Sequence, residues 1–288
     1  MAISSEINRN GQAGLPGEYG SGARAERGSD TTCSAACAVP ETSARPERAD
    51  ESGLVDGFGR RIDYARISLT DRCNFRCLYC MPSEGLPFIQ HGDILSYEEM
   101  LRVCAGLASL GVNRYKVTGG EPLCRQGAVG FMKQLAALPR VREVSLTTNG
   151  SLAPPHLEEL AEAGIKAVTF SLDALEPAIL RKITRSASGP EEILRAMDQA
   201  AELGMRVKIN TVPLKDVNES QLNPLAPYAL ERAWQIRFIE LMPAGEGRQL
   251  AGVPPEELFA PRESEVGQLE KGGHKTGKGP AVMYGLPK

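Results

Sequence analysis

An α/β fold is what the sequence predicts, on three observations. Six short β-branched runs recur along the chain, at Tyr64–Leu69, Tyr115–Thr118, Val144–Thr147, Ala167–Leu172, Val207–Val212 and Gln235–Leu241. Apolar positions at helical spacing fill the gaps between them. Capping residues, prolines and glycines mark where the segments begin and end. Strands alternating with helices imply parallel βα units with right-handed crossovers. We therefore expect a partial, open TIM-type barrel of about six such units, with a disordered N-terminal tail and an irregular, truncated C-terminal segment.

Taken in order, residues 1–55 form the N-terminal extension. Large apolar residues within 1–53 are confined to Met1, Ile3, Ile7, Leu15, Tyr19 and Val39, too few to bury a core. Eight acids in the same stretch count against an organellar transit peptide. Cys33 and Cys37 lie here without further ligands nearby and read as stray thiols.

Residues 56–243 form the core. Ser96 followed by Glu99 is a capping box, opening a helix that carries Tyr97, Met100, Leu101, Cys104, Leu107 and Ala108 on one face and stops at Gly111. Pro155 opens a second helix, with Leu157, Leu160 and Ala161 inward and Gly164 at its end. Pro190 opens a third, with Ile193, Leu194, Met197 and Ala201 as its stripe and Gly204 as its stop. From 244 to 288 the pattern decays, apart from a helical hint at Pro255–Phe259.

Bulk properties exclude several classes. A net charge of −3 gives no footprint for nucleic acid or a membrane surface. No apolar run reaches the roughly 20 residues of a membrane span, and no secretory leader is evident. The expected location is the cytoplasm. Seven cysteines, an odd number, favour metal binding over a disulfide framework.

In α/β sheets of this kind the chemistry gathers at the carboxyl ends of the strands, and the motifs fall there. Cys73-x-x-x-Cys77-x-x-Cys80 follows the first run. Iron–sulfur clusters usually take four thiolates; three leave one iron open to a ligand. A zinc knuckle completed by a distant group such as His91 is the competing reading, although zinc sites favour paired Cys-x-x-Cys units. Thr118-Gly119-Gly120-Glu121-Pro122 ends the second run, where glycines allow close backbone approach and a carboxylate suits an ammonium group. Ser171-Leu172-Asp173 ends the fourth. Arg66, Lys116, Lys208 and Arg237 sit within apolar strands. Cations pointing into a barrel are costly unless an anion meets them, which favours a shared anionic ligand. Cys104 and Cys124 read as packing residues.

The three-cysteine loop resembles that of the radical SAM superfamily, whose [4Fe–4S] cluster cleaves S-adenosylmethionine (SAM). The longer match is more specific. Asp56–Arg61, the stretch Arg66 to Pro82 around the cysteines, Leu146-Thr-Thr-Asn-Gly and Ile236-Arg-Phe-Ile-Glu-Leu-Met-Pro are similar to the GTP 3′,8-cyclase (MoaA) family of molybdenum-cofactor biosynthesis, from about residue 56 onward. That resemblance implies a lyase. A 5′-deoxyadenosyl radical would take the 3′ hydrogen of GTP, giving (8S)-3′,8-cyclo-7,8-dihydroguanosine 5′-triphosphate. It implies Cys73, Cys77 and Cys80 as cluster ligands and Tyr79, Gly120, Ser171 and Met242 as SAM contacts. Arg66, Lys116, Thr147 and Lys208 become the GTP contacts. Position 116 is usually Arg in the family, and Lys loses the bidentate fork. The implied partners are cyclic pyranopterin monophosphate synthase (MoaC) as the next enzyme, an unidentified electron donor, and a second copy if the protein is a homodimer.

The family also carries a second cluster held by three C-terminal cysteines, whereas this sequence has none after Cys124. The resemblance thus implies a chain cut short, expected to load one cluster and cyclise GTP poorly, since positioning is much of what such an enzyme contributes. Two other readings stand beside it: a radical SAM enzyme for another substrate, such as a peptide, and a catalytically silent fragment.

Overall fold

Apolar and polar residues alternate along the central strands, and that alternation decides which face of the sheet becomes core. A computed structural model describes residues 3–6, 53–259, 270–271 and 282–285. Cys33, Cys37 and most of the N-terminal extension lie outside the described residues, as does most of 260–288; within that extension, expected to be disordered, residues 3–6 form a strand. The chain divides into two units, residues 9–51 and the remainder, and only the remainder contains described residues.

The strands are β1 (Ile3–Glu6), β2 (Tyr64–Ser68), β3 (Arg114–Thr118), β4 (Glu143–Thr148), β5 (Ala167–Ser171), β6 (Arg206–Thr211), β7 (Gln235–Ile239), β8 (Glu270–Lys271) and β9 (Val282–Gly285). Strands β2 to β7 match the six expected runs to within two residues at each end and pair in chain order, all parallel. β1 extends the sheet in parallel beside β7, β9 pairs antiparallel with β1, and β8 with β9. These three short strands were not expected from sequence. Because the order runs from β2 at one edge to β8 at the other, the barrel is open.

Parallel sheets normally bury both faces and read as continuous hydrophobic runs. Here one face is apolar, with Tyr115, Val117, Leu146, Val168, Phe170, Ile209 and Phe238 all buried. It packs under the helices α1 (Tyr97–Ser109), α2 (Ala128–Ala137), α3 (Leu157–Glu162), α4 (Pro177–Thr184), α5 (Pro190–Glu202) and α6 (Glu219–Glu231). The other face carries Arg66, Lys116, Thr147, Thr169, Lys208, Asn210 and Arg237. A sheet face this polar must look onto a site.

Helix α1 has the expected capping box: Glu99 N–H donates to Ser96 Oγ, and Ser96 N–H donates to Glu99 Oε2. In α5 the buried positions are Pro190, Ile193, Ala196, Met197 and Ala200, while Leu194 and Ala201 are only half-buried. The stripe is therefore turned slightly from the one expected. Helix α7 (Pro255–Phe259) matches the C-terminal hint. Among the described residues no helix is long and apolar enough to cross a membrane.

Candidate functional site

The loop of Cys73, Cys77 and Cys80 begins five residues past the end of β2 and is held on three sides. On the first, the turn after β3 zips onto it. Gly120 N–H donates to the Thr70 carbonyl (2.7 Å) and Glu121 N–H to the Arg72 carbonyl (2.8 Å). On the second, the C-terminal carbonyls of α4 receive Arg76 N–H at Thr184 and Leu78 N–H at Ile183, both at 2.9 Å. These are helix-end acceptors that need partners. On the third, Tyr79 Oη donates to Asp173 Oδ2 at 2.9 Å, tying the loop to the end of β5. Arg76 closes the loop from within, its Nη1 donating to the carbonyls of Cys73 (2.6 Å) and Phe75 (2.9 Å).

Cys73 and Cys77 are half-buried and Cys80 is exposed, and all three are free thiols. Phe75 N–H points at Cys73 Sγ across 3.4 Å. Among the described residues no three His, Cys, Asp or Glu side chains converge as a single metal ion requires. A cubane cluster asks for something else, because each thiolate binds its own iron. The donor set fits that group: soft ligands on one pinned loop, with the Phe75 backbone N–H aimed at the Cys73 sulfur. Burial pushes all three thiols up, so loading displaces protons and is favoured by rising pH.

Glu121, read from sequence as a partner for an ammonium group, is engaged within the protein. Its Oε1 accepts from Leu123 N–H (3.1 Å) and Thr148 Oγ1 (2.9 Å), and its Oε2 from Asn149 N–H (2.7 Å). It is 1% exposed, and burial raises its carboxyl against the pull of those hydrogen bonds. The exposed groups of this turn are Gly119 and Gly120 themselves.

The four residues assigned to SAM reach one rim. Tyr79 lies in the cluster loop, Gly120 past β3, Ser171 at the end of β5, and Met242 past β7 with 65% exposure. Gly247 brings two of them together: a Cβ there would lie 2.5 Å from the Met242 carbonyl and 3.5 Å from that of Tyr79. Asp173 is 3% exposed, and burial raises its carboxyl to about 6, opposed by bonds from Val212 N–H and Tyr79. Since its folded value exceeds the unfolded one, its ionisation costs stability as pH rises through about 6. Tyr79→Phe removes a donor to the ionised form. We expect a loss of about 1.5–3 kcal/mol that is larger at pH 7.5 than at pH 5, read as urea midpoints of the cluster-free protein.

The four residues assigned to GTP lie on the polar face. Arg66 is in register with Lys116, Thr147 with Thr169, and Thr169 with Lys208. Lys116 Nζ donates to Thr169 Oγ1 at 3.1 Å, spanning β4. Arg237 pairs in register with Asn210, two residues beyond Lys208 on the same face. Burial, then the fields of Arg237 and Arg206, lower Lys208 to about 8. Cations crowded this way favour an anion. Elsewhere, Cys104 is a core residue at 2% exposure. Cys124 is half-buried and donates to Asn74 Oδ1 at 3.8 Å.

Comparison with known proteins agrees with this geometry. Residues 67–226 match the model of the radical SAM superfamily. A GTP 3′,8-cyclase of Peptoclostridium acidaminophilum is 40% identical over 242 residues, covering 83% of this chain and 73% of that protein. Another, of Clostridium perfringens (strain 13 / Type A), is 41% identical over 233 residues, covering 81% and 72%. Among solved structures, Streptococcus suis SuiB bound to S-adenosylmethionine shares the fold, with a TM-score of 0.54 at 16% identity over 67% of this chain and 44% of that one. TYW1 with a lysine-pyruvate adduct does likewise, with a TM-score of 0.53 at 16% identity over 77% and 79%.

Proposed function

The chain belongs to the GTP 3′,8-cyclase family of the radical SAM superfamily, and from that premise we propose that it acts on GTP as a lyase of molybdenum-cofactor biosynthesis. The product is (8S)-3′,8-cyclo-7,8-dihydroguanosine 5′-triphosphate. The observation that carries the substrate reading is the set of cations Arg66, Lys116, Lys208 and Arg237 on one polar sheet face below the cysteine loop.

Cys73, Cys77 and Cys80 would hold a [4Fe–4S] cluster, three ligands leaving one iron for SAM. When bound and reduced, the cluster would pass one electron to SAM, splitting it into methionine and a 5′-deoxyadenosyl radical able to take the 3′ hydrogen of GTP. The chain's own part is placement. Tyr79, Gly120, Ser171 and Met242 hold SAM at the rim. Lys208 is two residues below the layer of Ser171 and Asn210, about 7 Å along the strand. A triphosphate fixed there by Arg66, Lys116, Thr147, Lys208 and Arg237 leaves the ribose between the phosphates and the rim. The product passes to cyclic pyranopterin monophosphate synthase (MoaC) in the cytoplasm, with a separate electron donor and a homodimeric assembly as further parts of the reading.

GTP carrying deuterium at C3′ tests the reaction: the label is expected in 5′-deoxyadenosine, and SAM cleavage without label transfer would refute the assignment. Binding gives a second test. Lys208 must be protonated to meet a triphosphate, so GTP affinity is expected to be full below about pH 8 and to fall above it. Lys208→Met should weaken binding roughly 10- to 100-fold, from about 1.5–3 kcal/mol, and abolish that pH dependence, while Lys208→Arg keeps the affinity and flattens the profile. Calorimetry between pH 7 and 9 reads both.

A further inference from the structure

Next to the cysteine loop lies a buried carboxamide, Asn149, with no role in the functional reading so far. It sits just past β4 and is 8% exposed. Three hydrogen bonds leave its side-chain amide one orientation. Its Oδ1 accepts from Ser151 N–H (3.0 Å) and Ser151 Oγ (2.8 Å). Its main-chain N–H is held by Glu121 Oε2 (2.7 Å). A backbone N–H can only donate, so the oxygen must face Ser151 and Nδ2 must face the other way. There it donates to Asn74 Oδ1 at 2.8 Å and points at Cys73 Sγ across 3.9 Å. Asn74 is fixed in the same sense, its Nδ2 donating to Ser151 Oγ at 2.8 Å. The network closes on itself and leaves one N–H of Asn149 for the sulfur.

We infer that Asn149 is a positioning residue that directs a side-chain N–H at the Cys73 thiolate and thereby sets the reduction potential of the cluster. This rests on the reading that Cys73, Cys77 and Cys80 hold that cluster. Reduction adds negative charge to the cluster and its sulfurs, so a hydrogen bond to a ligand sulfur favours the reduced state. Asn149 joins the Phe75 N–H, which reaches the same sulfur from the loop's own backbone at 3.4 Å. The pairing recruits β4 to a site that otherwise belongs to the loop after β2, and Glu121 and Ser151 supply the rigidity.

The test is an anaerobic redox titration of the reconstituted chain without SAM, followed by the electron paramagnetic resonance of the reduced cluster. The potential is expected to fall in Asn149→Ala, which removes the donor, and further in Asn149→Asp, which puts an acceptor of equal size in its place. For Asn149→Asp we expect the oxidised-to-reduced ratio at fixed poise to rise about tenfold, or about 59 mV for a one-electron couple. A merely structural role would not order the two variants by charge. If they keep their iron and titrate with the parent, the inference fails. If they lose iron, Asn149→Ser decides: it keeps a small polar side chain but withdraws the N–H from the Cys73 sulfur, and a potential that does not fall overturns the proposal. A parent chain that binds no iron refutes the cluster reading itself, which is a separate outcome.

Discussion

Replacing Cys77 by Ala is expected to take the reconstituted chain from about four irons to near none and to abolish reductive SAM cleavage. In the proposed site the three thiols stand on one short loop and each would serve a different iron, so the remaining two could not compensate. Losing an outer-shell partner commonly costs 10- to 100-fold in affinity or activity; losing a ligand should exceed about 100-fold. Cys73→Ala and Cys80→Ala should behave alike. Cys104→Ala and Cys124→Ala should keep their iron, because Cys104 is packed in the core and Cys124 bonds to Asn74 from the next turn. Iron and sulfide analysis with a 5′-deoxyadenosine assay separates the two groups. Iron loss in Cys124→Ala, or retention in Cys77→Ala, would move the site.

Gly120→Ala should have the next largest effect. A Cβ at Gly120 would lie 2.7 Å from the Arg72 carbonyl carbon and 2.8 Å from the Asp71 carbonyl oxygen, and closer still to the Arg72 oxygen. All three are backbone atoms of the segment that leads into Cys73, so no side chain can swing aside. Either the turn parts from the loop, breaking the bonds to Thr70 and Arg72, or the loop moves and the cysteines lose their arrangement. Overpacking of this kind costs on the order of 1–3 kcal/mol, and the loss of cluster binding should be out of proportion to the loss of stability. Gly130→Ala is the control. It lies within α2 with nothing within 4 Å of its would-be Cβ and should stabilise the chain by roughly 0.5–1 kcal/mol. Thermal melts paired with iron content distinguish a local clash from general unfolding.

The parts legible in the sequence were those set by short-range physics. The β-branched runs became β2 to β7 within two residues, and Ser96 with Glu99 formed the capping box. The cysteine spacing was readable because ligands on one loop are neighbours in sequence. Helix α6 was not individually read, since Pro224 and Pro227 lie inside it and argue against a helix; burial of Leu222, Leu225, Ala226 and Ala229 overrides them. The role of Glu121 was missed for a different reason: its partners Thr148 and Asn149 lie 27 and 28 residues away, and nothing local marks that pairing. The same holds for Asn149 and Cys73, 76 residues apart. Lys116 and Lys208 could be named as strand cations, but their alignment across Thr169 needed the register of four strands.

We propose that one pinned loop of three cysteines loads a single cluster with an iron left open for SAM. Anaerobic reconstitution of the 288-residue chain, with iron counted per chain and SAM added to the reduced protein, tests it most directly. About four irons, a resonance that shifts on adding SAM, and release of 5′-deoxyadenosine are the expected result. A chain that takes up no iron, or holds a cluster whose resonance ignores SAM, would contradict it.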